Sequence, residues 1–346
     1  MARRNNNKMT RMPKIDPAVL TLTFSTPVVT GGTTKNFYID LSQSLSLVNR
    51  RFYRQGLNWA VSGIKVVSTG PGQVYCYKLP NTWVFANAWK KSFAVWQRMN
   101  REALAESESI RPKFLDFKIY MDAQHHLDGY AGNELPITVG GFPAVALQRA
   151  VAGEWDSSKV VIPDNTNPGF STEREFIAVG PNYPGAGASG LNAVSLIEGY
   201  AASRGLPDVL DPNAPDDAAD VSGAAPANWM GATFNEGTSQ DETVIESMIT
   251  ENNIAPYPFE NDGVNPDTMY PGGANQLLGA EIHDISNIYS TSATTSIGQT
   301  RLKGGNFPCG LIALNWAPET SHNCVIMVDL IPGAHRGYLA ESMQEM

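Results

Sequence analysis

The chain has 346 residues, of which 42% are hydrophobic and 17% charged, and its net charge is −9 at neutral pH. That length fills one large core or two smaller ones, and the composition excludes a wholly disordered chain. No run approaches the roughly 18 apolar residues of a membrane-spanning helix, and the N-terminus lacks the apolar stretch of a secretion signal.

The first residues, MARRNNNKMTRMPK, carry Arg3, Arg4, Lys8, Arg11 and Lys14 and no acid. They show no amphipathic period, so residues 1–16 read as a basic arm without fixed structure. DPAVLTLTFSTPVV then sets Val19, Thr21 and Thr23 against Leu20, Leu22 and Phe24, which predicts a strand over 18–28. TGGTT is a turn, and KNFYIDLS alternates again over 35–42. SLSLVNRRFYRQG (44–56) is a short helix or turn that carries Arg50, Arg51 and Arg54. Strands over 57–69 and 72–79 follow, joined by a Gly-Pro-Gly that resembles a hairpin signal.

The strongest helical pattern spans 81–107. Phe85, Trp89, Phe93 and Trp96 share one face, Lys90, Lys91, Arg98 and Arg101 lie off it, and Asn81 or Thr82 is placed to cap it. RPKFLDFKIYMDA predicts a buried strand over 113–122, and further strands are expected over 157–163 and 173–180, with a helix over 190–205. Residues 206–275 are rich in Pro, Gly, Asn and Asp, with a helix expected near 241–251. They read as a long acidic loop insertion. Two continuous apolar runs, 310–317 and 323–332, look like a pair of strands buried on both faces, and 335–346 reads as a short tail. Well-formed strands at both ends of the chain must pair across its whole length. The fold expected is mainly β, an antiparallel jelly-roll sandwich over 17–334 with one long inserted helix and long decorated loops.

Charge divides the chain. Residues 1–118 hold 18 Lys and Arg against 6 Asp and Glu, a net of +12, and residues 119–346 hold 7 against 28, a net of −21. A basic part on one side and an acidic part on the other suit a protein that binds a polyanion on one face only. The three cysteines, Cys76, Cys309 and Cys324, are widely spaced and read as buried thiols.

No catalytic motif emerges. TGGTTK lacks phosphate-loop spacing, and there is neither G-x-S-x-G nor H-E-x-x-H. His125 and His126 would point opposite ways on a strand, and His283-Asp284 reads as a loop or helix-end histidine. The acids Asp211, Asp216, Asp217 and Asp220, and Glu260, Asp262 and Asp267, follow no calcium-loop spacing. No enzyme activity, metal or cofactor is therefore expected. The basic residues are more coherent: the arm, then Arg50, Arg51 and Arg54, then the helix lysines and arginines, then Lys113 and Lys118, with Phe52, Tyr53 and Trp59 interleaved. Core packing is the plainer role for those three aromatics, base stacking the other. No nucleic-acid-reading motif is present, so binding without base specificity is expected.

The basic arm, LTLTFSTP, LPNTWVFANAWKKSFAVWQRMN, RPKFLDFKIYMD and VDLIPGAHRGYLAESM together resemble capsid proteins of small circular, Rep-encoding single-stranded DNA viruses. The resemblance implies a single jelly-roll coat protein that self-assembles into an icosahedral shell, a virion component. Arg3, Arg4, Lys8, Arg11 and Lys14 would face the packaged genome, and the acidic loops would face outward. Many such capsids carry a longer arm, so Arg50, Arg51 and Arg54 would have to help here. A coat protein of a positive-strand RNA virus would share this layout. The rival readings are a soluble carbohydrate-binding or carbohydrate-cleaving β-sandwich, favoured by the Trp, Tyr and acid content, and a nucleic-acid chaperone.

Overall fold

The computed structural model describes residues 17–106, 109, 115–139, 148–151, 155–163, 171–204, 230, 279–289 and 297–346. In chain order the elements are β1 (Thr21–Ser25), β2 (Lys35–Asp40), α1 (Leu41–Asn49), β3 (Leu57–Ser68), β4 (Gly72–Lys78), α2 (Trp83–Glu106) and α3 (Ala123–Asp128). Then come β5 (Ile137–Val139), β6 (Gln148–Arg149), β7 (Lys159–Pro163), β8 (Ser171–Ile177), β9 (Asn192–Ser195) and α4 (Leu196–Arg204). The chain closes with β10 (Glu281–Ile288), β11 (Gly298–Phe307), β12 (Leu311–Pro318), β13 (Cys324–Leu330), β14 (Pro332–Gly333), β15 (Gly337–Tyr338) and β16 (Ala340–Ser342).

The architecture is mainly β, built on two antiparallel sheets. One runs β1-β13-β3-β11, with β16 added along β3; the other runs β10-β4-β12-β2. The chain ends do pair: Thr21 lies opposite Asp329 and Ser25 opposite Val325, and the Thr21 hydroxyl donates to the Asp329 carboxylate at 2.7 Å. Among the eight long strands β1 to β4 and β10 to β13, each successive one changes sheet except β4 and β10, which are neighbours in one sheet. The Gly70-Pro71 turn therefore carries the chain from β3 in one sheet to β4 in the other, instead of closing a hairpin. The two apolar runs near the C-terminus likewise do not pair with each other. β12 lies between β2 and β4, and β13 between β1 and β3.

Period-2 alternation builds the core between the sheets. Leu22, Phe24, Ile64, Val66, Ile326 and Val328 from one sheet meet Phe37, Ile39, Val74, Cys76, Ile312, Leu314 and Trp316 from the other. β13 alternates buried with half-buried positions, so its continuous apolar run is deeply buried on one face only. The first half of β12 is buried on both faces, because residues between β4 and β10 cover its outer side. There Tyr38, Leu311 and Ala313 join Phe85, Trp89 and Trp96 of α2, Val160 and Ile162 of β7, Phe176 of β8 and Tyr200 of α4 in a second core. The aromatic stripe of α2 buries as its spacing requires, and the Thr82 hydroxyl accepts the Phe85 N–H at 3.4 Å.

Several local expectations are corrected. Residues 115–119 join no ladder. They run extended while the Lys118 N–H donates to the Ser158 hydroxyl at 3.0 Å and the Ile119 N–H to Gln55 Oε1 at 2.7 Å. Side chains replace the neighbouring strand there. The first part of the helix expected over 190–205 contains β9, paired in parallel with β8; only Leu196–Arg204 is helical. His125 and His126 sit in α3, not on a strand, and His283 lies in β10, not in a loop. The supposed tail folds back: Tyr338 and Met343 are buried, and β16 pairs with β3. The helix expected near 241–251, the seven acids weighed against a calcium-loop spacing, and residues 206–275 apart from Met230 lie outside the described residues.

All three cysteines are buried free thiols, as expected. Among the described residues no helix is long and apolar enough to cross a membrane.

Candidate nucleic-acid interface

A cluster of three exposed arginines, Arg50, Arg51 and Arg54, begins where α1 ends. Arg50 takes a left-handed conformation, φ 52, and terminates the helix. The connection to β3 then alternates inward and outward. Tyr53 and Gln55 are buried, while Phe52 is half-exposed and Arg54 exposed. Tyr53 packs edge-on to Trp59 and Tyr338 and donates its hydroxyl to the Arg336 carbonyl at 3.2 Å. Gln55 is held at both ends of its amide, giving Nε2 to Asp40 Oδ2 at 3.1 Å and taking the Ile119 N–H on Oε1. With these two fixed, Arg50, Arg51 and Arg54 are all directed to solvent.

Arg54 opens onto a cleft of about 400 Å³ between the sandwich and the segment inserted after β4. One wall is aromatic, made of Trp89, Phe93, Trp96 and Phe117. Trp89 and Phe93 stack with centroids 5.1 Å apart, and Phe117 meets Trp96 at 5.4 Å. The lining also includes Phe52, Arg54, His335 and Arg336. The Arg54 guanidinium sits 5.5 Å from the Phe52 ring and donates to the Leu115 carbonyl at 3.3 Å. Arg336 holds a left-handed conformation, φ 50, in the loop between β14 and β15 and donates to the Phe52 carbonyl. Burial, then the charges of Arg336 and Arg54, hold the His335 ring below its ordinary pKa. The imidazole is therefore neutral at pH 7, and the positive charge of this part of the lining comes from the two guanidiniums. Asp116 also lines the cleft. Its carboxylate accepts the Gln55 N–H at 3.1 Å, and burial pushes its pKa up to about 7.

The structure brings Arg54 to this cleft and leaves Arg50 and Arg51 on the same connection outside it. Arg3, Arg4, Lys8, Arg11, Lys14 and Lys113 lie outside the described residues. Tyr53 and Trp59 are core residues, 1% and 0% exposed, and cannot stack on a base; of the three interleaved aromatics only Phe52 reaches the surface site. The helix cations are engaged locally. Arg98 pairs with Glu102 at 3.0 Å, Arg101 bonds Gln97, and Lys91 lies over Tyr200. Sequence reasoning missed Arg336 and His335, because the fold brings them to Phe52 from about 280 positions away. The Gly after His335-Arg336 was the local sign of a tight loop.

A second cavity, of about 740 Å³, lies beside Tyr120, Tyr130, Trp155 and Glu175. Here His126 bonds Glu175 at 2.8 Å, and Glu175 also accepts from Ser157 and Ser189. Burial alone would raise the Glu175 carboxyl; the bonds from His126, Ser157 and Ser189 together leave it below its ordinary pKa. An acid so held is an anchored carboxylate, not a proton donor. Both serines bond the carboxylate, which is not the order of a nucleophilic triad. Neighbouring His125 is also structural: its Nδ1 takes the Met121 N–H at 3.0 Å, its Nε2 lies 2.8 Å from Asn133 Oδ1, and its ring stacks on Tyr38. Among the described residues no three His, Cys, Asp or Glu side chains cluster as metal ligands.

No protein-family model, curated protein or solved structure matches the chain.

Proposed function

We propose that the chain is a viral coat protein: a single jelly-roll domain whose copies close into an icosahedral shell around a single-stranded genome, DNA by resemblance. The observation that carries this reading is strand connectivity. With the eight long strands numbered one to eight along the chain, the sheets run 1-8-3-6 and 2-7-4-5. That is the order two nested Greek keys generate, and it is a frequent architecture of capsid domains. The long chain between the fourth and fifth of these strands, which contains α2, α3, β5 to β9 and α4, is in this reading a decoration of the jelly roll. In this reading the basic arm and the Arg50, Arg51 and Arg54 surface face the nucleic acid, and the acidic residues 206–275 face outward. The protein acts as a structural component of the virion, without enzymatic activity, cofactor or membrane, and binds its genome without base specificity.

Light scattering on a sizing column, with the 260/280 nm absorbance ratio and negative-stain images of the peak, tests this directly. Uniform megadalton spheres with a raised ratio are expected. A monomer of chain mass across salt and pH would overturn the reading. It would favour a sugar-binding sandwich instead, for which the Trp155, Tyr120 and Tyr130 cavity is the one supporting observation.

A further inference from the structure

We propose that the cleft between Arg54, Arg336 and the aromatic wall of α2 holds one nucleotide unit of a single strand, base against the half-buried Phe93 ring and phosphate on the two guanidiniums. This deepens the coat-protein reading and rests on it. Three observations carry it. The cleft, at about 400 Å³, lies in the size range of small-ligand sites. Its lining combines aromatic rings with two arginines, which is the combination that binds single strands regardless of sequence. Finally, the Trp89 indole that lines it is 3% exposed, and its N–H meets no hydrogen-bond partner. A buried donor of that kind is costly unless a ligand acceptor completes it. Asp116 does not close the site to anions, because its carboxylate is turned onto the Gln55 N–H.

The test uses the full chain, with its assembly state followed by light scattering. Tryptophan fluorescence is titrated with four probes: a 12-nucleotide oligo(dT), the matching oligo(U), an abasic 12-unit backbone and inorganic phosphate. Both oligonucleotides should quench, and the abasic strand should bind about tenfold more weakly, the value of stacking one base. Equal affinity for oligo(dT) and oligo(U) would assign the site to single strands at large, and a difference that persists between oligo(dU) and oligo(U) would name the preferred sugar. Phe93→Leu should erase the advantage of a base. Arg54→Gln and Arg336→Gln should each lower the salt slope by about 0.7. Gln344→Glu, an exposed substitution at the rim that leaves the fold intact, should weaken binding several-fold. The inference is overturned if the abasic strand binds as well as oligo(dT), or if Gln344→Glu and Phe93→Leu bind like the parent. If shells still fill with nucleic acid in that case, the coat-protein reading survives without this site. Base-dependent binding by a chain that never assembles would keep the site and sink the shell.

Discussion

The sandwich and the segment inserted after β4 are joined into one molecule by different chemistry. Between the two sheets the contacts are almost wholly apolar, from Leu22 and Phe24 through to Trp316 and Val328. The insertion shares its apolar core with Tyr38, Leu311 and Ala313 of the sandwich, and to that contact it adds joints that are buried and polar. Asp40 caps α1 by accepting the Ser42 and Gln43 N–H groups at 2.8 and 3.2 Å, and the same carboxylate takes the Gln55 amide and the Trp155 indole. Tyr38 donates to Asp122 at 2.9 Å, Asn133 to Gln43 at 3.0 Å, and Gln55 reaches Ile119. An apolar core stabilises with little dependence on pH. Buried polar joints are directional and contain titratable groups, so the insertion is where pH should act on this protein.

Four substitutions probe that difference. The largest effect is expected from Phe24→Ala, which opens a cavity between the sheets. It should cost about 3–5 kcal/mol by denaturant unfolding, by the same amount at pH 5 and pH 8. A strongly pH-dependent loss would break the distinction. Next is His125. Burial, opposed by its bond to Asn133, holds its pKa down to about 3, against an ordinary value of 6.5. The unfolded chain takes up a proton that the folded chain refuses. Its contribution is thus complete above pH 6.5 and lost as pH falls, at about 1.4 kcal/mol per unit, or about 2 kcal/mol by pH 5. His125→Gln should flatten that acid slope, which a stability-versus-pH series would reveal.

Asp116 carries the opposite sign. Its folded pKa of about 7 lies above the ordinary 3.8, mainly through burial. The folded state holds the proton longer, and stability falls as pH rises between those values. Asp116→Asn should remove that fall and raise stability at pH 8 by about 1–2 kcal/mol, the range allowing for solvent screening at this half-exposed site. The smallest effect belongs to Arg98→Ala. It breaks an exposed ion pair on α2 and should change stability by about 0.3–0.5 kcal/mol, vanishing in high salt.

The parts legible in the sequence were those fixed by local period. Alternation located β1 and β2, the Gly-Pro-Gly turn marked off β3 and β4, continuous apolar runs located β12 and β13, and the aromatic spacing located α2. Partner choice was not legible, because a turn such as Gly70-Pro71 looks the same whether it closes a hairpin or crosses to another sheet. The run around Phe117 and Ile119 alternates like a strand, yet its N–H groups bond Ser158 and Gln55, a choice made by tertiary neighbours. At the candidate site, Arg54 could be read from local charge. Arg336 could not, since only the return of the C-terminal residues alongside β3 brings it to Phe52.

That return has a consequence for how the protein is made. β1 is synthesised among the first residues, but its ladder partner β13 is Cys324–Leu330. At roughly 5–20 residues per second, β1 waits roughly 15–60 s before that partner leaves the ribosome. The first sheet cannot close before β13 has been made, and a fold so dominated by distant pairings forms slowly. Whatever surface the finished sandwich offers to other molecules therefore appears only once Leu330 has been added, about 300 residues after β1.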